Sequence, residues 1–355
     1  MKKPRVLVTP IDVNACGQYR LIEPYSYLIS QNGFDEIEYV MHDFNKFNGL
    51  GDFEHLELKD NFDAVIVQRV AHPALAGVLE RFKERGGKVI LDLDDHFFAI
   101  HQSNVAWSVW KPGSPARKAL MKTLDLADQV HLSTEELIYA YADCTSGDVL
   151  IFPNTLRMDK YSGQIAMRRM YPADKTVIMW AGSTTHMEDL KMIYPVLQEI
   201  LAKNPQAIFA LCGNREFIDW LDAPAEQKYY IPPVDFKDYF LIPSYADIFL
   251  CPVKESMFND CKSELKILEA AVWGVPCVAS PVAAYRRFAE HRADNVLLAK
   301  KNREREWIKN IQMLIDSQEL RKQIGQSAYD TFCMDFYDFR TVAKDRHKEI
   351  KRLFF

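Results

Sequence analysis

Along this chain, short runs of β-branched and aliphatic residues alternate with longer segments whose apolar positions recur every three or four residues, and the alternation occurs in two blocks. In the first block, 5–10, 37–42, 64–68, 88–93, 129–133 and 149–152 read as strands, separated by helical segments such as 73–85. The second block repeats the plan, with strands at 177–180, 207–212, 248–251 and 276–279 and helices near 189–203, 216–222, 236–246 and 263–273. Buried strands joined through helices form parallel sheets, so the expected fold class is α/β, with two Rossmann-like doubly wound parallel-sheet domains facing a crevice. Pro153, Gly163 and Pro172 punctuate a polar stretch and place the linker at 154–175. The expected domains are 1–155 and 156–335, followed by a charged amphipathic helix over 336–355.

At 355 residues and 48% hydrophobic composition, the chain is long enough for two cores. Its net charge of −5 is unevenly spread. Residues 1–155 hold 15 Lys and Arg against 22 Asp and Glu, and the remainder holds 29 against 27. An acidic first half argues against a general polyanion-binding surface, although basic stretches remain at 81–88 and 111–122. The seven cysteines form no Cys-x-x-Cys pair and several lie in apolar runs, so they read as reduced core thiols without zinc spacing. No apolar leader and no run of about 18 apolar residues is visible, which gives the expectation of a soluble cytoplasmic protein with no integral membrane contact.

The segment richest in chemistry runs from Asn259 to Ser280. Lys262, Ser263, Lys266 and Glu269 recur at spacings of three and four, so one helical face presents two cations, a hydroxyl and a carboxylate. Cations and helix N-terminal amides suit a diphosphate, and a carboxylate one turn further in suits the two hydroxyls of a ribose. Ala270 and Ala271 allow close packing, Gly274 ends the helix, Pro276 prevents its resumption, and 275–279 reads as a buried strand. The plain alternative is a surface helix with a charge pattern between Glu264 and the Lys266 face.

The pattern resembles the donor-binding helix of retaining glycosyltransferases with the GT-B fold, in particular the large family-4-like group, of a type seen in bacteriophage genomes and bacterial surface-polysaccharide loci. The resemblance covers residues 176–280 well and most of the chain weakly. It implies that Glu269 binds the donor ribose and Lys266 its phosphates. The group's usual first glutamate falls here on Cys261, leaving Asn259 or Asp260 to contact the sugar. It also implies a last helix that crosses back to the first domain, a nucleoside-diphosphate sugar as co-substrate with a UDP-sugar favoured, and neither cofactor nor metal.

Other segments take their expected places around that helix. Gly182, Ser183, Thr184, Thr185 and His186 follow a predicted strand and precede a helix, where small residues expose amides and hydroxyls to a phosphate or a sugar. Related enzymes often carry an Arg and a Lys in this loop, so here the phosphate charge rests on Lys262, Lys266 or Arg215. His186 has the alternative of a helix-start residue satisfied by Asp189, and Arg215 that of a solvent-facing cation. Pro233 and Val234 sit where the family contacts the nucleobase through backbone, and Pro232 with Pro233 makes a rigid edge. In the first block Gly17 permits a tight turn facing the crevice, and the resemblance implies a glycine-containing loop here close to both donor phosphate and acceptor. Arg20, at the start of a helix, is either a site residue or a structural partner of Glu23.

Asp92, Asp94, Asp95 and His96 form a second cluster at the end of a buried strand, a costly arrangement unless the carboxylates are paired or face solvent. Asp95, His96 and Arg20 are the candidate catalytic residues, with Asp95 or His96 near the transferred proton. The alternatives are hard-cation ligation by Asp-x-Asp-Asp and helix capping by Asp94 or Asp95. The implied chemistry is hexosyl or pentosyl transfer with retention. The nucleoside diphosphate departs, the acceptor hydroxyl attacks from the same face, and catalysis is mainly electrostatic and positional. The resemblance marginally favours a hydroxymethylated pyrimidine in phage DNA as acceptor, which would place the protein in the host cytoplasm, with a surface glycan or a small hydroxyl compound close behind. A nucleotide-sugar 2-epimerase and a non-catalytic nucleotide-sugar-binding protein are the readings from other classes.

Overall fold

A computed structural model describes residues 2–31, 34–42, 62–157, 171–172 and 174–355. The chain divides into two compact units, Met1–Thr155 with Asp335–Phe355, and Leu156–Met334. Most of the stretch read as a linker lies outside the described residues.

The first unit is built on a six-stranded parallel sheet of β1 (Arg5–Thr9), β2 (Glu38–Met41), β3 (Ala64–Gln68), β4 (Lys88–Leu93), β5 (Gln129–Leu132) and β6 (Asp148–Ile151), in the order β2-β1-β3-β4-β5-β6. Every residue of β3 is buried, which explains why a near-continuous aliphatic run marks it in the sequence. The following helix, Pro73–Glu84, starts where Pro73 fixes its own φ and the His72 side chain accepts from the Ala74 amide, and it buries Leu75, Val78, Leu79 and Phe82. The C-terminal helix Phe339–Lys351 belongs to this unit. Its Phe339, Ala343 and Ile350 share one core with Leu21, Tyr25 and Leu28.

The second unit has its own six-stranded parallel sheet: β7 (Thr176–Ala181), β8 (Ala207–Cys212), β9 (Lys228–Ile231), β10 (Ile248–Cys251), β11 (Cys277–Ala279) and β12 (Leu297–Leu298), in the order β12-β11-β10-β7-β8-β9. The helix Met187–Lys203 lays Leu190, Ile193, Leu197, Ile200 and Leu201 against Trp307, Ile311 and Leu314 of the Glu304–Asp316 helix. Each such fully buried aliphatic side chain is worth about 1.5–3 kcal/mol. Two expectations change. The 236–246 segment is a short helix, Phe236–Tyr239, and a separate 3-10 turn, Ile242–Tyr245, with Pro243 in its first turn. The 263–273 helix shortens to Leu265–Ala271, so Ser263 precedes it.

All seven cysteines are thiols, but only Cys212, Cys251, Cys261 and Cys277 are core residues, while Cys16 and Cys144 are half-buried and Cys333 is exposed. Among the described residues, no helix is long and apolar enough to cross a membrane.

Candidate functional site

In a doubly wound sheet, ligands bind beyond the strand carboxyl ends where the strand order reverses. In the second unit that point lies between β7 and β10. The chain leaves β7 through Gly182 into a 3-10 turn, Thr184–His186, that runs into the long helix. Gly213, just beyond β8, has φ +144°, and a Cβ there would meet the Gly182 carbonyl oxygen at 2.3 Å, so the two backbones approach as only glycine permits. The Ser183 and Thr185 hydroxyls bond each other at 2.7 Å.

His186 Nδ1 lies 2.8 Å from Asp189 Oδ2. A carboxylate only accepts, so Nδ1 carries the proton and Nε2 of the neutral ring is an acceptor. Burial is the main cause that holds this imidazole below its ordinary pKa; the Asp189 bond opposes it, and the Lys262 and Lys266 charges reinforce it. The Asp189 alternative of the sequence reading is therefore the arrangement found, and 182–186 supplies hydroxyls, amides and a neutral imidazole. Asp189 Oδ1 also accepts from the Lys254 amide at 2.7 Å, which ties the end of β10 to the same helix start.

Beside this loop stands the Leu265–Ala271 helix. Lys266 Nζ is 3.0 Å from Glu269 Oε2 and also meets the Tyr239 hydroxyl, which is 3.2 Å from Glu269 Oε2 and 3.4 Å from the Ala181 carbonyl at the end of β7. Glu269 is only 3% exposed and the Lys266 side chain 23%. Burial alone would lower the Lys266 pKa, but the Glu269 carboxylate and the Tyr239 oxygen outweigh it and hold the ammonium above its usual range. Burial and the Glu269 charge likewise raise Tyr239, which stays a phenol. Lys262 Nζ lies 4.5 Å over the Phe258 ring, and Ser263 is half-buried. Glu264 is buried and faces Arg287 at 3.6 Å, so the plain pattern between Glu264 and Lys266 gives way to two separate pairs.

Several other expected residues make local bonds or face solvent. Asn259 is buried, with Nδ2 donating to the Lys254 carbonyl at 2.8 Å and its amide to Ser256 Oγ at 3.1 Å, so it closes the loop after β10. Asp260 Oδ1 accepts from the Ala283 amide at 3.2 Å. Arg215 faces solvent: its side chain is 69% exposed, 3.4 Å from Asp219 and over the Tyr230 ring, and it begins a helix just after its Asn214 cap. Pro233 and Val234 are exposed in the loop between β9 and Tyr239.

In the first unit the strand order reverses between β1 and β3. Gly17 is buried there, not in a tight turn but at the end of a short helix, Ala15–Gly17, that runs on through Gln18–Ile22, and a Cβ on it would meet the Asp12 carbonyl oxygen at 1.8 Å. Arg20 is corrected from a catalytic to a core residue. Its guanidinium is 1% exposed and grips Asp92 through Nε at 2.9 Å and Nη2 at 2.8 Å, with further bonds to Phe152 and Asn154. Arg346, from the C-terminal helix, reaches the same carboxylate at 2.9 Å. Burial would raise Asp92, but the two guanidiniums prevail and hold it below the ordinary carboxylate value.

Asp94 receives a fork from Arg69, and Asp95 lies 3.6 Å from the same guanidinium. No helix starts at either residue, so capping does not describe them, and each faces a cation; among the described residues no three His, Cys, Asp or Glu converge as ligands. Arg69 has φ +52°, a left-handed conformation that costs a non-glycine residue about 1–2 kcal/mol. Its Nη2 also donates to Cys16 Sγ at 3.0 Å, and burial, followed by Asp94, pushes that thiol up to about 12. His96 is buried edge-on to Phe98 and Tyr141, burial lowers its pKa, and its Nδ1 has no partner. It is a neutral packed ring, while Asp95 keeps 21% of its side chain exposed.

Tyr239, Arg69 and Arg346 escaped the sequence reading. Arg69 directly follows the buried run 64–68, a position that could have been read. Tyr239 and Arg346 meet their partners only through the tertiary fold.

Known proteins share this two-sheet fold. HepE of Anabaena in complex with UDP-glucose has a TM-score of 0.70 at 12% identity, covering 98% of this chain and 99% of that one. Sucrose-phosphate synthase of Thermosynechococcus elongatus gives 0.69 at 12% identity, covering 99% of each. The fold is GT-B. Within it, residues 175–317 match the family described as Glycosyl transferases group 1, which takes in the β7 loop, Tyr239, Lys266 and Glu269. The Bacillus subtilis (strain 168) protein YtcC, a glycosyltransferase by name, is 21% identical over 213 residues, 54% of this chain. This chain spans about half (48%) of that relative's length.

Proposed function

We propose that the Leu156–Met334 unit binds a nucleoside-diphosphate sugar and that the protein transfers the sugar to an acceptor hydroxyl with retention. The observation that carries this reading is the Lys266–Glu269–Tyr239 cluster, built on a buried Glu269 and set against the glycine loop at the β7 and β10 ends inside the segment that matches the glycosyltransferase family. Glu269 accepts from the ribose hydroxyls. Lys262 is the cation for the diphosphate, and Lys266, paired with Glu269, supplies further positive potential without being a dedicated phosphate ligand. The 182–185 amides and hydroxyls line the phosphates, His186 Nε2 accepts from a sugar hydroxyl, and the loop at Pro233 and Val234 takes the nucleobase. UDP is the favoured nucleotide, by analogy with the UDP-glucose complex of HepE.

Departure of the diphosphate leaves an oxocarbenium-like centre, the acceptor hydroxyl adds from the same face, and its proton passes to the leaving phosphate oxygen. Fixed charges do most of this work. Asp95 is the carboxylate assigned to the acceptor hydroxyl. For the acceptor, local pairing weighs against DNA: Lys83 and Lys88 face Asp128, and Lys122 faces Glu80. A glycan or other hydroxyl compound thereby moves ahead of a hydroxymethylated pyrimidine.

The test is incubation with UDP-, GDP- and ADP-hexoses plus a glycan pool, hydroxymethylated DNA or small alcohols, following diphosphate release and product mass. Acceptor-dependent release supports the proposal. Isomerisation of the sugar without transfer, or binding without turnover, contradicts it.

A further inference from the structure

We propose that Tyr239 is a positioning residue that sets the Glu269 carboxylate for a ribose diol, and so makes this site prefer ribonucleotides to their 2′-deoxy counterparts. The inference rests on the nucleotide-sugar reading of the site.

Tyr239 ends the Phe236–Tyr239 helix, which follows directly on the Pro232 to Asp235 loop. Its hydroxyl meets Lys266 Nζ, Glu269 Oε2 at 3.2 Å and the Ala181 carbonyl at 3.4 Å. An ammonium only donates, so Lys266 gives its proton to the phenol oxygen, and the single phenol proton goes to Glu269 or to Ala181. Lys266 also donates to Glu269 Oε2 at 3.0 Å. The shorter contact and the charge of the carboxylate give the phenol proton to Glu269, so one carboxylate oxygen is held from two directions, by groups on two different elements. That fixes the plane of a nearly buried side chain that otherwise has three rotatable bonds. A fixed carboxylate plane matters most to a ligand that presents two adjacent hydroxyls, and little to one that presents a single hydroxyl. Loop geometry on the nucleobase side is thereby linked to ribose recognition through one hydroxyl.

The experiment is calorimetric titration of wild type and Tyr239→Phe with UDP and with 2′-deoxyuridine diphosphate, with far-UV ellipticity and a melting curve for each protein. Phenylalanine keeps the ring that lies 4.9 Å from Lys266 Nζ and removes only the hydroxyl. The expected result is a loss of about tenfold in UDP affinity, the size of one hydrogen bond to a charged group, with 2′-deoxyuridine diphosphate weakened by about twofold or less. The preference for ribose then collapses. Equal weakening of both ligands, the mark of a merely structural role, overturns the proposal, as does an unchanged UDP affinity. Lys266→Met releases the same carboxylate from its other side and must shift the preference in the same direction, so the proposal stays testable if the phenylalanine variant folds poorly. Wild-type protein that binds no nucleoside diphosphate refutes the site reading itself, a result visible before any variant is compared.

Discussion

Replacing Asp92 by asparagine removes one charge from a triad in which the aspartate is 0% exposed and both guanidiniums, Arg20 and Arg346, are 1% exposed. Three bonds of 2.8 to 2.9 Å converge on that carboxylate. The variant leaves two buried cations facing each other across a neutral amide. Breaking a buried pair from one side costs about 3–5 kcal/mol, because the remaining charge keeps its desolvation penalty and loses its compensation. At about 2–4 °C per kcal/mol for a unit of this size, the melting transition of the first unit should fall by about 6–20 °C. Urea unfolding followed by ellipticity measures the loss directly. Replacing all three residues together by Leu and Met should recover most of it, since no orphaned charge remains. A loss below about 1 kcal/mol for the single variant would refute the reasoning. The pH dependence has a fixed sign. Asp92 titrates below its ordinary value of 3.8 when folded, so its stabilisation is complete above that value and fades as pH falls through the lowered one. The gap between wild type and variant should therefore narrow in the acid range below about pH 4.

Three further outcomes follow from the same geometry. His131 is fully buried, and burial, then Arg346 and Arg20, hold it well below 6.5, so the unfolded chain takes up this proton first and stability should fall as pH drops through 6.5, by up to about 1.4 kcal/mol per pH unit. Urea midpoints of His131→Phe should show a shallower slope than wild type between pH 7 and 5. Gly213→Ala should destabilise the second unit by about 1–3 kcal/mol and weaken nucleotide binding, because its methyl group would press on the Gly182 carbonyl oxygen; both effects are read from melting and titration of one preparation. Lys262→Ala should weaken UDP about tenfold while leaving uridine unchanged, and equal loss of both ligands would remove this lysine from the phosphate site.

The sheet cores were legible because strands buried on both faces need continuous apolar runs: 64–68, 88–93, 207–212 and 248–251 coincide with the observed strands. The edge strands β9 and β12 were missed. Lys228–Ile231 carries polar and aromatic residues on an edge that needs little burial, and β12 is only two residues long. Spacing alone put Lys266 and Glu269 on one helical face. It said nothing of the hydroxyl that joins them, because Tyr239 arrives from a helix 27 residues earlier in the chain. Arg20 was misplaced for a similar reason: its partner Asp92 is 72 residues away, and local pairing with Glu23 was the only alternative the sequence offered. His186 and Asp189, three residues apart, were within reach of local reasoning.

The most direct test of the central claim is calorimetric titration of the intact protein with UDP, GDP, ADP and CMP, with Glu269→Ala and Lys266→Ala alongside. One nucleoside diphosphate, expected to be UDP, should bind wild type and lose at least about tenfold in affinity to Glu269→Ala while the melting temperature holds. Absence of binding by all four nucleotides, or unchanged affinity in both variants, would contradict the assignment of this helix to a nucleotide-sugar donor.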